Sequence, residues 1–262
     1  MFEVAANIEY MFHDAGEQLE RRVEAAAAAG IRKVEMFSVE NRDKRALKSA
    51  LDGNGVQLWT VLTDPRTMLV DQKTHDHFLG LFRRTAEIAV ELGCPHVVCG
   101  SGMGVPYLKR QESLRIVSAA FVRAAEVAAE LGVTILLEAV NTRVDHPGVL
   151  FSRTEDSYGV ARQVNSPRVK VLYDIYHSVA EGEDTNTVLR KIAGSIGHVQ
   201  VADFPGRGEP GSGTIDWNEK LAQLRDSGYA GVIGVECHPV KSLTAEALKY
   251  FVALCSKLPP SG

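Results

Sequence analysis

Short apolar runs alternate with longer amphipathic runs along the whole chain, and this alternation constrains the fold more than any other feature. The short runs are rich in Val, Ile and Leu, as expected for strands of a parallel sheet that is covered on both faces. The longer runs repeat apolar residues with the period of a helix packed on one side. Eight strand segments are recognised in this way: EVAAN, RKVEMF, VQLWTVL, HVVCG, VTILLEAVN, VKVLYDI, HVQVAD and VIGVEC.

Eight strand–helix units in 262 residues predict a (β/α)8 barrel, the TIM-barrel fold of the α/β class. An open doubly wound sheet is the rival arrangement, but no GxGxxG follows the first strand. Several helix patterns end at a residue suited to a left-handed C-cap: Gly30, Gly55, Gly93, Gly132 and Asn165. No linker-like stretch interrupts the pattern, so residues 1–262 are expected to form a single barrel domain.

Composition restricts the partners and the compartment. A net charge of −4 gives no general attraction for nucleic acid or an anionic membrane. No apolar run reaches the length of a membrane span, and the N-terminus has no signal-peptide pattern. The cysteines do not have the spacing of a zinc or redox motif, which predicts free buried thiols in a cytoplasmic protein: Cys94, Cys99, Cys237 and Cys255.

Polar side chains stand at the ends of four consecutive predicted strands, where barrel enzymes place their chemistry. These residues are Glu138, Asp174, Gln200 and Glu236. A carboxylate at the end of an apolar strand is expensive to bury unless it is paired or bound to a metal, and neighbouring carboxylates repel each other. A divalent cation resolves both problems. The ligands would all be oxygen atoms, which favours Mg²⁺ or Mn²⁺ over zinc.

A cation held there would chelate a carbonyl and its neighbouring hydroxyl and acidify the C–H bond between them. Glu138 and Glu236 lie on strands three apart, so they are expected to flank the substrate and to act as the acid and base. His177 follows Asp174 closely enough to reach a substrate oxygen. Arg207, in the loop after the seventh strand, is expected to bind a substrate carboxylate, with a solvated loop arginine as the alternative. The pattern indicates an isomerase or epimerase.

Other polar and aromatic residues have simpler interpretations. His198, which alternates with valines, is expected to be an inward-facing core residue. Glu35 ends the second strand and is expected to form a salt bridge, with substrate contact as the alternative. Phe12 and Trp59 are expected to be packed in the interior, although they could also close a pocket. The histidines of the HDH run, residues 75–77, are expected to head a helix in solvent.

Two glycine-rich runs resemble phosphate cradles, namely residues 100–104 (GSGMG) and 211–214 (GSGT). The second follows the seventh strand, where barrels often bind phosphate. A turn into a helix capped near Asp216 is the simpler interpretation of the second run, and flexibility at a strand end is the simpler interpretation of the first.

The segment from Leu136 to Pro239 resembles the hydroxypyruvate isomerase family of the xylose-isomerase-like barrel superfamily. The matching motifs are LLEAVNTR, YDIYH, GHVQVADFPGRGEPGSGTIDW, GYAGVIGVE and, near the N-terminus, NIEYMF. Related ketose 3-epimerases usually carry a second histidine where Gln200 stands, which favours the isomerase side. Outside these motifs the likeness is one of general pattern.

The resemblance implies the metal ligands Glu138, Asp174, Gln200 and Glu236, with the two glutamates doubling as acid and base. It implies substrate contacts by His177 and Arg207, and a small hydroxy-oxo acid as substrate, either hydroxypyruvate or a 2-oxo-tetronate. Relatives often associate, which leaves a homo-oligomer open.

The chain also departs from the family. The family's E-P-[IV]-N is E-A-V-N at residues 138–141, and its E-Y-K-P is E-C-H-P at residues 236–239. The loops after strands two to four differ altogether, so the substrate is the least constrained part of the prediction.

Three rival functions remain. A ketose 3-epimerase or an inosose isomerase or dehydratase would use the same metal and glutamates on neutral polyols and would be indifferent to Arg207. An endonuclease acting at abasic sites would need a histidine-rich metal cluster and a basic surface, and the sequence offers neither. A non-catalytic barrel would bind a ligand without exchanging any C–H proton.

Overall fold

A computed structural model describes residues 2–63 and 67–257. Its centre is a closed barrel in which each strand is parallel to the next and β8 closes onto β1. The prediction of a (β/α)8 barrel is therefore confirmed. The strands are β1 (Glu3–Asn7), β2 (Lys33–Met36), β3 (Gln57–Leu62), β4 (His96–Cys99), β5 (Thr134–Glu138), β6 (Val169–Asp174), β7 (Ile196–Val201) and β8 (Val232–Val235).

The helices of the described residues surround the barrel. They are α1 (Leu19–Ala28), α2 (Lys44–Asn54), α3 (His75–Glu91), α4 (Arg110–Leu131), α5 (Thr154–Val164), α6 (Ile175–Glu181), α7 (Thr185–Ile192), α8 (Trp217–Asp226) and α9 (Thr244–Lys257). All except α6 follow the amphipathic runs of the sequence. Residues 64–66, in the loop after β3, and Leu258, at the end of the last predicted helix, lie outside the described residues.

Left-handed residues end several helices, as the sequence predicts. Gly132 has φ +77° after α4, and Asn165 has φ +50° after α5. The N-terminus of α8 is capped by Asp216, whose carboxylate accepts hydrogen bonds from the backbone amides of Asn218 and Glu219. None of the helices in the described part of the chain is long and apolar enough to cross a bilayer.

Alternation along the strands divides the core into two layers. Val97, Ile135 and Val171 belong to the large outer cluster between barrel and helices. Their neighbours Val98, Leu136 and Leu172 form a separate small cluster with Leu62 inside the barrel. The inside of the barrel is thus apolar on the side of β3 to β6, whereas β2 and β7 contribute buried polar groups to it.

Two minor predictions have different outcomes. The four cysteines are free and buried, as predicted. The HDH run does begin α3, but the solvent-exposed placement is wrong for His75, which is only 5% exposed. Its Nε2 lies 2.9 Å from the carbonyl oxygen of Leu69, so the preceding loop folds over the ring. His77 is exposed.

Candidate active site

The four strand-end residues meet at one mouth of the barrel. Glu138 and Asp174 are the last residues of β5 and β6, and Glu236 directly follows β8. Asp174 pairs in register with Gln200 of β7, and Gln200 pairs with Gly234 of β8. Barrel closure therefore brings all four side chains to similar depth, as the sequence suggests.

The short helix α6 places His177 above β6. The sequence analysis predicted a role for His177 but did not predict this helix. Asp174 Oδ1 accepts a hydrogen bond of 3.2 Å from the backbone amide of His177, which caps the helix. An N-capping aspartate directly before a helix-compatible run is the signal that was available. The helix turns the chain back over the mouth, so the His177 side chain is 2% exposed.

Glu138, Asp174 and His177 form one compact cluster, in which one ligand-type atom of each residue lies within 4.8 Å of the others. His177 Nε2 is 3.9 Å from Glu138 Oε1 and 3.9 Å from Asp174 Oδ2. These distances leave room between the three side chains. This arrangement is a possible metal site.

The hydrogen bonds of His177 define its tautomer. The backbone amide of Asn141 lies 3.3 Å from Nδ1, and the Asn141 side-chain nitrogen lies 2.7 Å from it. The Asn141 amide is oriented unambiguously, because its Oδ1 accepts from the backbone amides of Val144 and Asp145. Nδ1 is thus the acceptor, and a neutral ring carries its proton on Nε2. Burial, with repulsion from Arg207, holds the pKa of His177 well below its ordinary value. Nε2–H is therefore a donor towards the carboxylates or a substrate oxygen.

Glu236 occupies a different part of the site and has three partners. Its Oε2 accepts hydrogen bonds of 2.9 Å from Gln200 Nε2 and 3.2 Å from Asn7 Nδ2. Its Oε1 accepts one of 2.6 Å from Arg207 Nη2. Glu236 thus lies beside the only guanidinium that contacts the site within the described residues.

Arg207 is buried, which makes the solvated alternative wrong. It is 8% exposed, and its guanidinium lies 5.5 Å from the ring centre of Tyr10 and 5.2 Å from that of Tyr176. Its Nε has no hydrogen-bond partner among the described residues. Although burial lowers the pKa of Arg207, the neighbouring carboxylates of Glu236 and Asp174 raise it above its ordinary value. The side chain is a permanent cation with donor capacity to spare.

The Gln200 amide is held by two carboxylates. Its Nε2 donates hydrogen bonds of 2.9 Å to both Glu35 and Glu236. Its Oε1 is buried and has no partner among the described residues. A buried carbonyl oxygen without a donor is unfavourable, and a cation would satisfy it. Together with the carboxylates of Glu138 and Asp174, this oxygen fits an oxygen-coordinated divalent metal.

Crowding of the carboxylates gives a second reason for a cation. Burial raises the pKa of Asp174 to about 6 and the pKa of Glu236 to about 7, the latter despite the opposing charge of Arg207. Burial, with repulsion from Glu236 and Asp174, raises the pKa of Glu138 well above its ordinary value. A divalent cation would relieve this repulsion and favour the ionised forms.

A buried polar group lies beneath the site. Glu35, which is 0% exposed, accepts a hydrogen bond from His198 Nε2, and Trp59 Nε1 donates to His198 Nδ1 at 3.3 Å. Glu35 therefore has a buried side-chain partner, as expected, in the form of a hydrogen bond, and the prediction of an inward-facing His198 is confirmed. Gly234 makes room for this pair, since a Cβ there would lie 2.2 Å from Glu35 Oε1.

The mouth opens into a cavity of about 620 Å³. Glu138, His177, Arg207 and Glu236 line it together with Tyr10, Phe37, Leu62, Gly100, Ser101, Gly102, Met103, Val140, His146, Pro147 and Val149. Of these others, Tyr10 and Val140 stand in the family motifs NIEYMF and LLEAVNTR, and residues 100–103 belong to the GSGMG run, but the sequence analysis assigned none of them to the substrate pocket. Phe12 is packed in the interior, 1% exposed, and neither Phe12 nor Trp59 lines the cavity.

The run at residues 211–214 surrounds a protein carboxylate. Asp203 accepts hydrogen bonds from the backbone amide of Gly211 at 2.7 Å and from that of Ile215 at 3.1 Å. The indole of Trp217 donates to the same carboxylate at 2.9 Å. The donors that a phosphate would require are therefore occupied by Asp203, and the run serves as the turn into α8.

Comparison with known proteins gives consistent matches. The family described as xylose isomerase-like TIM barrel matches residues 23–254. A putative hydroxypyruvate isomerase of Streptomyces coelicolor is 31% identical, covering 88% of this chain and 90% of its own. A 2-oxo-tetronate isomerase of Cupriavidus necator is 31% identical, covering 90% and 92%. The crystal structure of an AP endonuclease, family 2, from Brucella melitensis superposes with a TM-score of 0.88 at 27% identity, covering 97% and 99%.

Proposed function

The chain belongs to the xylose isomerase-like TIM barrel family and is an isomerase, and from this we propose that it interconverts a 3-hydroxy-2-oxo acid and its 2-hydroxy-3-oxo isomer. Hydroxypyruvate and 2-oxo-tetronate, for which two of its relatives are named, serve as the reference substrates of this proposal. The observation that carries the proposal is the contact between Arg207 and Glu236 in the cavity that also holds Glu138. It puts a cation suited to a substrate carboxylate beside two groups suited to moving a proton.

We propose a divalent metal, Mg²⁺ or Mn²⁺, as cofactor, with Glu138, Asp174, Gln200 and Glu236 as its ligands. The free oxygen of Gln200 and the raised pKa values of the carboxylates support this donor set. When bound, such a cation polarises the carbonyl and hydroxyl oxygens of the substrate and makes the C–H bond between them more acidic.

The protein moves the proton. One of Glu138 and Glu236 removes the proton from C3 of the substrate, which leaves an enediolate, and the other delivers a proton to C2. His177 Nε2–H donates to a substrate oxygen, because the hydrogen bonds at Nδ1 leave the ring proton on Nε2. Coordination of the metal through Nε2 would contradict this role. Arg207 binds the substrate carboxylate with its remaining donors and keeps the acid end of the substrate in place.

The rival functions have less support. A ketose or an inosose carries no carboxylate and would leave the buried cation of Arg207 without a substrate anion. The Brucella protein bears an endonuclease name, but the metal-type cluster of the described residues contains one histidine, and the net charge of −4 does not attract DNA.

The proposal is tested by proton NMR in D₂O with purified protein, Mn²⁺ or Mg²⁺ and hydroxypyruvate or 2-oxo-tetronate. Loss of the C3 proton signal by deuterium exchange, together with appearance of the isomer, is expected. If neither acid exchanges faster than with the metal alone, but ketohexoses or inososes do, the sugar-epimerase alternative replaces the proposal. No exchange with any of them would favour a binding protein.

A further inference from the structure

The cavity is larger than the reference substrates require. Hydroxypyruvate has seven non-hydrogen atoms, and at the volume that each water molecule occupies in the liquid these fill ~200 Å³. The cavity measures about 620 Å³, which is in the range of sites for considerably larger molecules. The excess volume lies beside the acid–base residues, and its lining indicates what it accommodates.

One wall of this cavity is apolar. It consists of Phe37, Leu62, Met103, Val140, Pro147 and Val149, which we call the apolar wall. Phe37, Leu62 and Met103 come from the ends of β2 and β3 and from the loop after β4. Met103 lies in one of the loops in which the sequence departs from the family's motifs, whereas Val140 lies in LLEAVNTR, a motif that matches them.

Backbone hydrogen bonds fix the position of the wall. Met103 and Val149 are paired as an antiparallel bridge between the loops after β4 and β5. On either side, the Leu150 amide donates to the Gly102 carbonyl at 3.1 Å, and the Gly104 amide donates to the Gly148 carbonyl at 2.9 Å. These bonds also occupy polar groups of the GSGMG run, which argues against a phosphate cradle there. Met103 is 45% exposed although it is one of the largest apolar side chains of the cavity. An exposed methionine on a fixed wall is suited to contact with an apolar ligand.

The ionisable groups proposed for the reaction and the apolar wall occupy different but overlapping arcs of the cavity, and Ser101 and His146 are polar members of the arc that carries the wall. Glu138, His177, Arg207 and Glu236 come from the strand ends and loops of β5 to β8, whereas the apolar wall reaches from β2 to the loop after β5. A ligand that satisfies both sides has a polar acid end and an apolar end. Neither hydroxypyruvate nor 2-oxo-tetronate has an apolar end.

We propose that the preferred substrate is a 3-hydroxy-2-oxo acid whose C3 carries an apolar alkyl or aryl substituent, which packs against the apolar wall. This inference rests on the proposed function. The reaction converts R–CH(OH)–CO–COO⁻ into R–CO–CH(OH)–COO⁻: the C3–H bond breaks, a C2–H bond forms, and the hydroxyl proton of O3 is lost as one is gained at O2. C3 is oxidised and C2 is reduced within one molecule, so no external oxidant or reductant is needed.

The test compares three acids that differ only in R: hydrogen (hydroxypyruvate), hydroxymethyl (2-oxo-tetronate) and benzyl. Deuterium exchange and isomerisation are followed by NMR with the Mn²⁺-loaded or Mg²⁺-loaded enzyme. Each buried methylene contributes ~0.8 kcal/mol, about fourfold in binding, so kcat/KM is expected to be at least about tenfold higher for the benzyl acid than for the other two.

A matched pair of variants locates the effect. Val149→Ser introduces a hydroxyl into the apolar wall, and Val122→Ser makes the same change on the outer surface of α4, where Val122 is 44% exposed. Val149→Ser is expected to lower kcat/KM for the benzyl acid at least about fivefold more than for hydroxypyruvate, because only the benzyl acid loses an apolar contact. Val122→Ser is expected to change neither.

The two proposals fail in distinguishable ways. Turnover of hydroxypyruvate with equal or poorer turnover of the benzyl acid overturns the inference and leaves the proposed function intact. So does a Val149→Ser variant that slows both acids equally. Absence of exchange with all three acids overturns the proposed function and the inference together.

Discussion

Glu35 and Gln200 are joined by a buried hydrogen bond of 2.9 Å, in which the amide nitrogen of Gln200 donates to Glu35 Oε2. The same nitrogen donates to Glu236, so both amide hydrogens are used and the carbonyl oxygen of Gln200 is left free. Glu35 is thus a positioning residue. It determines which end of the Gln200 amide is available to a cation, although Glu35 itself lies below the cavity.

Glu35→Gln is expected to weaken Mn²⁺ binding by about tenfold or more, the effect typical of outer-shell partners of metal ligands. The new amide keeps only one acceptor for two donors, Gln200 Nε2 and His198 Nε2–H, so Gln200 either loses this hydrogen bond or keeps it at the expense of His198, and its amide is held less firmly. Binding is measured by calorimetry or Mn²⁺ spin resonance on the purified protein. Glu183→Gln is the control, because Glu183 caps Thr154 away from the site. Unchanged Mn²⁺ affinity in Glu35→Gln would contradict the positioning role.

Gly234→Ala is expected to lower the melting temperature and the Mn²⁺ affinity together. The added Cβ would lie 2.2 Å from Glu35 Oε1, so the buried carboxylate must move, at a cost of about 1–3 kcal/mol. Gly159→Ala is the control, because it lies within α5 with no atom near its added Cβ, and there alanine is expected to stabilise the helix. A melting temperature of Gly234→Ala equal to that of the wild type would show that Glu35 is not confined as described.

Glu138→Gln and Glu236→Gln are each expected to lower kcat at least about 100-fold, because an amide cannot accept the proton that a carboxylate accepts. The measurement is deuterium exchange at C3, with circular dichroism to verify the fold. A rate like that of the wild type in either variant would disprove the two-carboxylate mechanism.

Arg207→Ala is expected to raise KM for carboxylate substrates by about 30-fold or more, the effect of truncating one member of a buried charge pair. The charge of Arg207 also lowers the pKa of Glu236. Its loss therefore raises that pKa and moves the acidic limb of the pH–rate profile to higher pH. Arg207→Lys keeps the positive charge, so its pH–rate profile is expected to stay closer to that of the wild type than its KM does. Equal weakening of neutral ketoses would refute the carboxylate-binding role.

The stabilisation by Mn²⁺ is expected to increase with pH from about pH 5 to about pH 8. The folded-state pKa values of Asp174, about 6, and of Glu236, about 7, lie above their ordinary values. Without a cation, the folded chain therefore binds more protons than the unfolded chain. These extra protons stabilise the folded chain fully below about pH 4. The stabilisation is lost as the pH rises through 6 to 7, at up to about 1.4 kcal/mol per pH unit for each proton. A cation binds the ionised carboxylates, so cation binding becomes more favourable as the pH rises.

The measurement is the difference in melting temperature between Mn²⁺ and a chelator at each pH. Glu138→Gln is expected to reduce the pH dependence, and Glu112→Gln, an exposed surface change on α4, is expected to leave it intact. A difference that shrinks as the pH rises would contradict the raised pKa values.

The sequence by itself determined the barrel and the residues at its mouth. Strand and helix periods are local properties, and so are the left-handed C-cap residues, which is why eight units could be counted. The carboxylates of Glu138, Asp174 and Glu236 stood out because each ends an apolar strand. The direction in which Gln200 faces followed from its alternation with valines.

Only the tertiary structure decided the partners of these residues. Gln200 and Glu35 are 165 positions apart, Asn7 and Glu236 are 229 apart, and their contacts exist because the barrel closes. The tautomer of His177 depends on Asn141 from a different loop, and the burial of Arg207 depends on two tyrosines from distant segments. The apolar wall is made where loops meet. Local patterns specify which groups a strand end carries, whereas hydrogen-bond direction, desolvation and cavity shape depend on atoms that only folding brings together.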